Sequence, residues 1–487
     1  MQITGPTKPR ASLGWVLVLT AAAALVVALD QLVVATALQR IRADLGASMS
    51  SLEWTVNAFS LSFAALLLPA SDLGDRLGHK RVYLTGLIVF AVASASCALA
   101  PDVGVLIAAR VIQGAGAALI SPASLTLLTR ATPVAKRGAA MGLYAAVMGL
   151  AVVGGPLVGG AVAQGIAWQW IFWINLPVIA LVLPLAAVKL GEVKGTPSGP
   201  DPVGLLLSAA SMCAIVWALV RSGPAGWSST EVLGTLIGGG VLLMLFIGWE
   251  LRRVEPMLPV RIFANREFAA ANVSALLLTA SLFGTVFFLA QYLQVGLSYS
   301  PLDAGLRFLP WTVLLFIVAP LAGRFQDRVG ARRLISVGLL LQGLGMGWIA
   351  VTAHQHESYG ATAVGLVISG FGTSLAMPAQ QATAMSSTPS SSMGKAAGTF
   401  NVLRQVGGAL GIAVLAAVFA AHGSDRTPTQ FASGFAAAMV AAGVLAGLGA
   451  LCALFVPTRP GRTDAGNAPE VAVEDLTIGP KENLGVR

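Results

Sequence analysis

The sequence predicts an all-α integral membrane protein of fourteen spans, built as two six-helix bundles with two further helices inserted between them. Three observations carry this reading. The 487-residue chain is 56% hydrophobic and only 10% charged, with a mean hydropathy of +0.79, where a soluble chain carries about 25% charged residues. Its apolar runs are each about 20 residues long and nearly free of charge, the length that crosses a hydrocarbon core. One short turn also occurs twice. Ser71-Asp72-Leu73-Gly74-Asp75-Arg76-Leu77-Gly78-His79-Lys80-Arg81 returns as Gly323-Arg324-Phe325-Gln326-Asp327-Arg328-Val329-Gly330-Ala331-Arg332-Arg333. Each copy separates two apolar runs. Such internal duplication is the build of many secondary transporters, with the substrate site between the halves.

The elements follow in order from length and hydropathy. The first run, at about 14–36, begins after Lys8 and Arg10 like a signal peptide. It is too long for a cleaved leader and no small-x-small site follows it, so it stays as the first span. Runs at about 53–72 and 82–100 flank the first turn, and those at about 104–129, 138–163 and 169–190 complete the first bundle. Two runs follow at about 203–221 and 232–250. The second bundle takes about 268–295, 305–323, 334–353, 360–384, 396–421 and 431–456. Asp75 and Asp327 lie 252 residues apart, whereas six helices with short connections need about 180–200. The excess is one helix pair. The domain plan is therefore a cytoplasmic N-terminus at 1–13, a bundle at 14–190, an inserted two-helix region at 191–267, a bundle at 268–456 and a disordered tail at 457–487.

Basic residues set the orientation. With the N-terminus inside, the inner connections hold Arg76, Lys80, Arg81, Arg130, Lys136, Arg137, Lys189, Lys194, Arg252, Arg253, Arg261, Arg266, Arg324, Arg328, Arg332, Arg333 and Lys395. The outer connections hold only Arg40, Arg42, Arg221, Arg307 and Arg426. The net charge of +9 thus reports topology in the bilayer and implies no nucleic-acid partner. Both termini are expected on the cytoplasmic side of a bacterial cell membrane. Cys97, Cys213 and Cys452 each sit in an apolar run, with neither disulfide nor metal-ligand spacing. No phosphate loop, zinc-protease helix or nucleophile elbow is present, so no cofactor, metal or enzymatic site is expected. No stretch fits a soluble output domain, which argues against a sensor.

Several segments together resemble the major facilitator superfamily, and within it the fourteen-helix drug:proton antiporters. Leu106-Ile107-Ala108-Ala109-Arg110-Val111-Ile112-Gln113-Gly114-Ala115-Gly116-Ala117-Ala118 is similar to the family's fourth-helix signature. Gly154-Gly155-Pro156-Leu157-Val158-Gly159-Gly160 is similar to its fifth-helix antiporter motif. Leu29-Asp30-Gln31, Trp168-Gln169-Trp170-Ile171-Phe172-Trp173-Ile174-Asn175-Leu176-Pro177, Ser300-Pro301-Leu302-Asp303-Ala304-Gly305 and Arg404-Gln405-Val406-Gly407-Gly408-Ala409-Leu410-Gly411 match the fourteen-helix group. The resemblance runs from about residue 14 to 456. It implies the major facilitator fold and proton-coupled export of small amphipathic compounds, with protons, a lipophilic substrate and the bilayer as partners and a monomer as the working unit. A narrow-range exporter of one metabolite or self-made antibiotic is the alternative.

The residues give this a physical reading. Asp30 lies deep in the first span, where an ionised carboxylate costs several kcal/mol unless hydrated or paired. It is expected to face a cavity and carry the proton, or else to serve as a neutral packing hydrogen bond. Arg110 in the fourth span is its cationic counterpart, with Gln113 on the same face. The fifth helix carries Ala151, Gly155 and Gly159 on one small stripe that admits a close neighbour. Together with Gly142, Pro156 and Gly160 these residues make up the antiporter motif. The family has Gly where this chain has Ala151. The repeated turns need tight backbone at Gly74 and Gly78 and at Gly323 and Gly330. Asp75 is expected to cap a helix N-terminus and latch the turn, with Arg76, Lys80 and Arg81 at the headgroups. Asp327 and Arg328 repeat the pattern, and Ser71 replaces the family's glycine. Asp30, Trp54, Asn57, Gln113, Gln291, Gln294, Asn401, Arg404 and Gln405 are the polar or aromatic candidates for the substrate cavity. Each lone polar residue among them is equally readable as an interhelix hydrogen bond.

Overall fold

The computed structural model describes residues 12–133, 137–194, 201–254, 256, 260–354, 359–388 and 393–457, and these contain no β-strand. In the first half α1 (Leu13–Leu45), α2 (Met49–Leu77), α3 (His79–Ala98), α4 (Val103–Ala131) and α5 (Arg137–Gly165) are followed by a broken span, α6 (Trp170–Trp173) and α7 (Asn175–Lys189). Then come α8 (Pro202–Ala225) and α9 (Thr230–Arg252). The second half holds α10 (Arg266–Gln291), which runs into a π-turn at Tyr292–Gly296, then α11 (Pro301–Leu306), α12 (Leu309–Val329), α13 (Ala331–His354), α14 (Tyr359–Ser386), α15 (Met393–His422) and α16 (Pro428–Ala453).

Local chemistry explains where these helices begin and end. Ser48, Asp102, Asp201, Ser229, Ser300 and Thr427 accept a backbone N–H three residues on, each as an N-cap. Pro202, Pro301 and Pro428 occupy first-turn positions, where the missing N–H is harmless. The chain reverses between α2 and α3 at Gly78 (φ 106°) and between α12 and α13 at Gly330 (φ 90°). Side chains rarely adopt that backbone region. At about 1.5 Å per residue most helices outreach the 30 Å core and must tilt or protrude.

Twelve described helices are long and apolar enough to cross a membrane, or thirteen when the two parts of α2, bent by 51° between Leu67 and Pro69, are taken as one span. Fourteen were expected. The 29-residue α5 lies outside that count and holds the fifth position by packing on α1. The expected tail, apart from Pro457, and the Gly195–Pro200 connection lie outside the described residues.

The packing repeats. In the first half α1 packs on α4, α5 and α7, α2 on α4, and α3 on α4 and α7. In the second half α10 packs on α14, α15 and α16, α12 on α14, and α13 on α14 and α16. Glycines mark the equivalence, since Gly86 and Gly116 meet backbone to backbone as Gly338 and Gly372 do. The pair α8–α9 has no counterpart in this scheme. It forms a hairpin whose α8 leans on α2 and α15, with Val216 packed among Leu61, Ala409 and Ala413.

The halves are joined unevenly. Midway, Gln31 Nε2 donates to Gln405 Oε1 (2.8 Å). Towards the end reached by Leu45, Gln39 donates to Gln291 (3.0 Å), Gln294 to the Thr36 carbonyl (3.0 Å), and the Leu302 N–H to Gln164 (3.0 Å). There too Arg42 pairs with Asp425. One apolar core spans both halves at this end, taking in Leu38 and Ile41 as well as Phe288 and Phe419. At the opposite end the core splits into smaller clusters, the first of which takes in Val402 of α15 at its margin.

Candidate functional site

Five helices converge on one carboxylate. Asp30 of α1 is 2% exposed and Arg110 of α4 is fully buried. They form an ion pair through Oδ2 and Nη1. Asp30 Oδ1 accepts from Gln113 Nε2 (2.8 Å) and from Asn175 Nδ2 of α7 (3.0 Å). Both amides also reach Ser94 Oγ of α3, at 2.8 and 3.3 Å. Arg110 donates from Nε to the Thr55 carbonyl of α2 (3.1 Å) and from Nη1 to Gln113 Oε1 (2.7 Å). Its guanidinium lies over the Phe59 ring at 4.4 Å and near Phe172 at 5.8 Å, favourable faces for a desolvated cation. The i, i+3 spacing of Arg110 and Gln113 puts both on one face of α4.

Two buried charges cost more to desolvate than their attraction returns unless every remaining polar atom is also bonded. Here the amides of Gln113 and Asn175 and the Thr55 carbonyl supply most of those bonds, while Arg110 Nη2 has no hydrogen-bond partner among the described residues. The expectation that Asp30 faces an open cavity is therefore corrected: it is sealed inside the first half, and its partner replaces solvent. The sequence reading singled out Asp30, Arg110 and Gln113 but not Asn175, Ser94, Thr55 or Phe59. Asn175 is one of two amides in an aromatic motif, with Gln169, and that placement was its signal in the sequence. Ser94 carried no signal beyond being small and polar in a span.

The other candidates divide. Gln31, which was not singled out, meets Gln405, while Gln291 and Gln294 join α10 to α1. Asn401 is exposed and bonds only its own helix, to the Ala397 carbonyl (3.1 Å). Arg404 is half-buried with Phe400 at 5.9 Å. Trp54 packs on the inserted helix α8, 5.8 Å from the Trp217 ring, in an apolar cluster that also holds Ala409 and Ala413 of α15. Asn57 is fully buried, and neither of its amide atoms has a partner among the described residues.

The glycine stripe meets α1. A Cβ at Gly155 would strike Leu32, and one at Gly159 would strike Thr36 and the Val33 carbonyl. Ala151 is fully buried on the same face. Gly160 points elsewhere, against the Pro301 carbonyl of the other half. Gly407 and Gly411 repeat the arrangement against Leu276 and Ala280 of α10. Gly142 lies in α5, and the side chain of Pro156 in the same helix lies outside the described ones.

In the first repeated turn Asp75 sits in the last turn of α2, not at a helix N-terminus, and its Oδ1 is 2.9 Å from Nε2 of His79. The buried His79 ring fills the space above Gly74. The backbone N–H of His79 donates to the Val193 carbonyl (2.8 Å). Glu192 accepts from the Lys80 N–H (2.9 Å), and Lys80 Nζ donates to the Ala187 carbonyl (2.6 Å). The turn is thus pinned to the segment after α7, with Arg81 3.8 Å from Glu192. Ser71 and Arg76 are half-buried within α2. In the second copy Gly330 makes the reversal and Arg328 is exposed. Gly323 is helical with open space around it, so the tight backbone expected there is not required. The Asp327 side chain lies outside the described ones.

Residues 20–412 and 272–481 match the family model described as Major Facilitator Superfamily. The chain is similar to the tetracenomycin C resistance and export protein of Streptomyces glaucescens, at 33% identity over 85% of this chain and 78% of that protein. It is similar to the multidrug resistance protein Stp of Mycobacterium tuberculosis, at 33% over 81% and 73%. It is also similar to the cephamycin export protein CmcT of Amycolatopsis lactamdurans, at 33% over 90% and 91%. Among solved structures it resembles an auto-inhibited peptide transporter of the POT family (TM-score 0.67, 16% identity, 91% and 96% covered). It also resembles a bacterial homologue of the lysosomal transporter Spinster in an inward-facing, unoccupied conformation (TM-score 0.65, 17% identity, 93% and 98% covered). At such identity these last two matches speak for the fold alone.

Proposed function

This chain belongs to the major facilitator superfamily, and on that premise we propose that it exports small amphipathic compounds, drugs and antibiotics among them, from a bacterial cytoplasm in exchange for protons. The observation that carries the proposal is the buried Asp30–Arg110 pair. Protonating Asp30 cancels its attraction for Arg110 and turns one acceptor oxygen into a donor. The bonds from Gln113 and Asn175 must then be rearranged, and these residues reach α1, α3, α4 and α7. A single proton is in that way coupled to helix packing. The relatives named for export and resistance support the substrate class.

In this reading residues 14–190 and 268–456 are the rocking halves and 191–267 an insert that flanks them. With both termini cytoplasmic, the joined end faces outside and the present arrangement is inward-facing. The chain works as a monomer. Two relatives named for the export of a single antibiotic family favour, as a second reading, a narrow-range exporter.

The test is ethidium transport in inverted vesicles from a pump-deficient host, with drug-susceptibility profiling of the same host. An imposed pH gradient, acid inside the vesicle, is expected to drive ethidium accumulation, and collapsing it with nigericin to release the dye. Accumulation indifferent to the gradient would refute proton coupling. Competition then probes charge. The carboxylate of Asp30 is already engaged by Arg110, and Arg404 adds a second guanidinium. At an effective dielectric near 20, one unpaired like charge at 4 Å costs about 4 kcal/mol. Divalent cations are expected to compete at least about tenfold more weakly than matched monovalent ones; equal competition would overturn this.

The turn carries a further expectation. Asp75→Ala removes the acceptor of His79 and is expected to slow ethidium efflux about tenfold, the equivalent of one charge-assisted hydrogen bond, with insertion unchanged. A wild-type initial rate would reduce Asp75 to a loop cap.

A further inference from the structure

We propose that Glu53 is a second proton-carrying carboxylate of this transporter, loaded from the outer side, and that its protonation lets the two halves close at that end. The inference rests on the orientation and antiport reading given above.

Glu53 stands one turn into α2, only 6% exposed. None of the hydrogen bonds or ion pairs of the described residues reaches it. An ionised carboxylate left alone in such a place is costly, whereas a neutral carboxyl is tolerated. Asn57 and Ser60 follow at i+4 and i+7 and share its face of the helix. Both are buried, and the amide of Asn57 and Oγ of Ser60 also have no partner among the described residues. Three unpaired polar side chains on one stripe are more than a packing accident explains, since buried polar groups are normally bonded.

The stripe lies at the seam between the halves. At 100° per residue it falls between two other faces of α2. On one side Leu52 and Val56 join the core shared with Leu106 and Ala109 of α4. On the other, Trp54 and Leu61 pack with Ala409 and Ala413 of α15 and with α8. Separating α2 from α15 exposes the stripe to outside water and joining them buries it.

The charged groups on the neighbouring elements are engaged elsewhere or lie at the rims. Asp30 and Arg110 pair with each other, Arg42 with Asp425, and Arg221 with Glu231. Asp44 accepts from Trp168, and Asp102 caps α4. Arg40 is exposed, and Arg404 belongs to the half of α15 remote from the joined end. His422 ends α15 with Nδ1 3.0 Å from the Val418 carbonyl. The proton therefore comes from external water: an O–H bond of hydronium breaks, one forms on a Glu53 carboxylate oxygen, and no electron changes hands. Arg110 bonds the carbonyl of Thr55, two residues along α2, so Glu53 loads on the same helix that the inner pair holds.

The test needs no transported substrate. Spin labels at Ala43→Cys and Arg426→Cys, one on each half at the joined end, report closure in purified full-length protein without its native cysteines. Lowering the pH from 8 to 5.5 is expected to shift the wild type towards the short distance. Glu53→Gln should stay short throughout, and Glu53→Asp should recover the pH response. Infrared difference spectra should lose one protonated-carboxyl band in Glu53→Gln and keep it in Asp30→Asn. A Glu53→Gln protein that follows pH as the wild type does, or a response that disappears in His422→Gln instead, overturns the proposal. Because no transport is measured, failure of Asp30-dependent efflux leaves this outcome readable.

Discussion

Asp30→Asn is expected to abolish ethidium efflux driven by a pH gradient, by more than about a hundredfold, while the protein still inserts. Asparagine keeps an acceptor for Gln113 and Asn175 but cannot take up or release the proton. It also leaves Arg110 as a buried cation without its counter-charge, flanked by Phe59 and Phe172. Removing one partner of a buried pair costs about 3–5 kcal/mol, and about 1.4 kcal/mol is a decade in rate. The loss therefore has two sources, and a second variant separates them. Asp30→Asn combined with Arg110→Gln makes the site neutral and is expected to regain thermal stability without regaining coupling. Efflux by Asp30→Asn at the wild-type rate, with the gradient intact, would remove Asp30 from the coupling role.

The two halves are alike in packing but not in charge. In the second half Gln342 donates to Ser281 (3.0 Å) and accepts from Thr373 (3.3 Å). That cluster joins α10, α13 and α14 as the Asp30 cluster joins α1, α3 and α4, and it has nothing to ionise. The proposed coupling is thus asymmetric: protons act on the first half, and the second follows through the contacts at their joined end.

Much of this was legible in the chain. The repeated Asp-Arg turn, the apolar run lengths and the small-residue stripe report local constraints, which a sequence carries directly. Asp30 and Arg110 stood out because a charge inside an apolar run is conspicuous. What was not legible depends on three-dimensional facing. A run of side chains does not say whether Asp30 meets water or Arg110, nor that Trp54 meets the inserted helix. Glu53 escaped notice because it lies where the run begins, a place where a glutamate is ordinarily wet. His79 escaped because a basic residue in a basic turn reads as a headgroup anchor, whereas its ring is buried over Gly74.

The antiporter motif yields the second large effect, through Gly160. Its neighbours Gly155 and Gly159 face Leu32, Val33 and Thr36 of α1, within the same half. Gly160 faces the Pro301 carbonyl and Leu302 Cα of α11, across the seam. Both sides of that contact are backbone, so neither can yield by turning a side chain. Adding atoms to a packed contact costs about 1–3 kcal/mol and sometimes more. At Gly159 that cost falls on the fold of the first half in every conformation. At Gly160 it falls only on the conformation in which the halves are joined, so it shifts the rocking equilibrium. Gly160→Val is therefore expected to insert and unfold as the wild type does, yet to lose efflux by about a hundredfold. A cysteine at Ser300→Cys, beside the contact, should become more reactive towards a membrane-impermeant thiol reagent added outside. Gly159→Val should instead lower expression and thermal stability and leave that reactivity unchanged. If the two variants gave the same profile, the glycines would be packing residues alike, and the distinction between the α1 face and the seam would have no functional content.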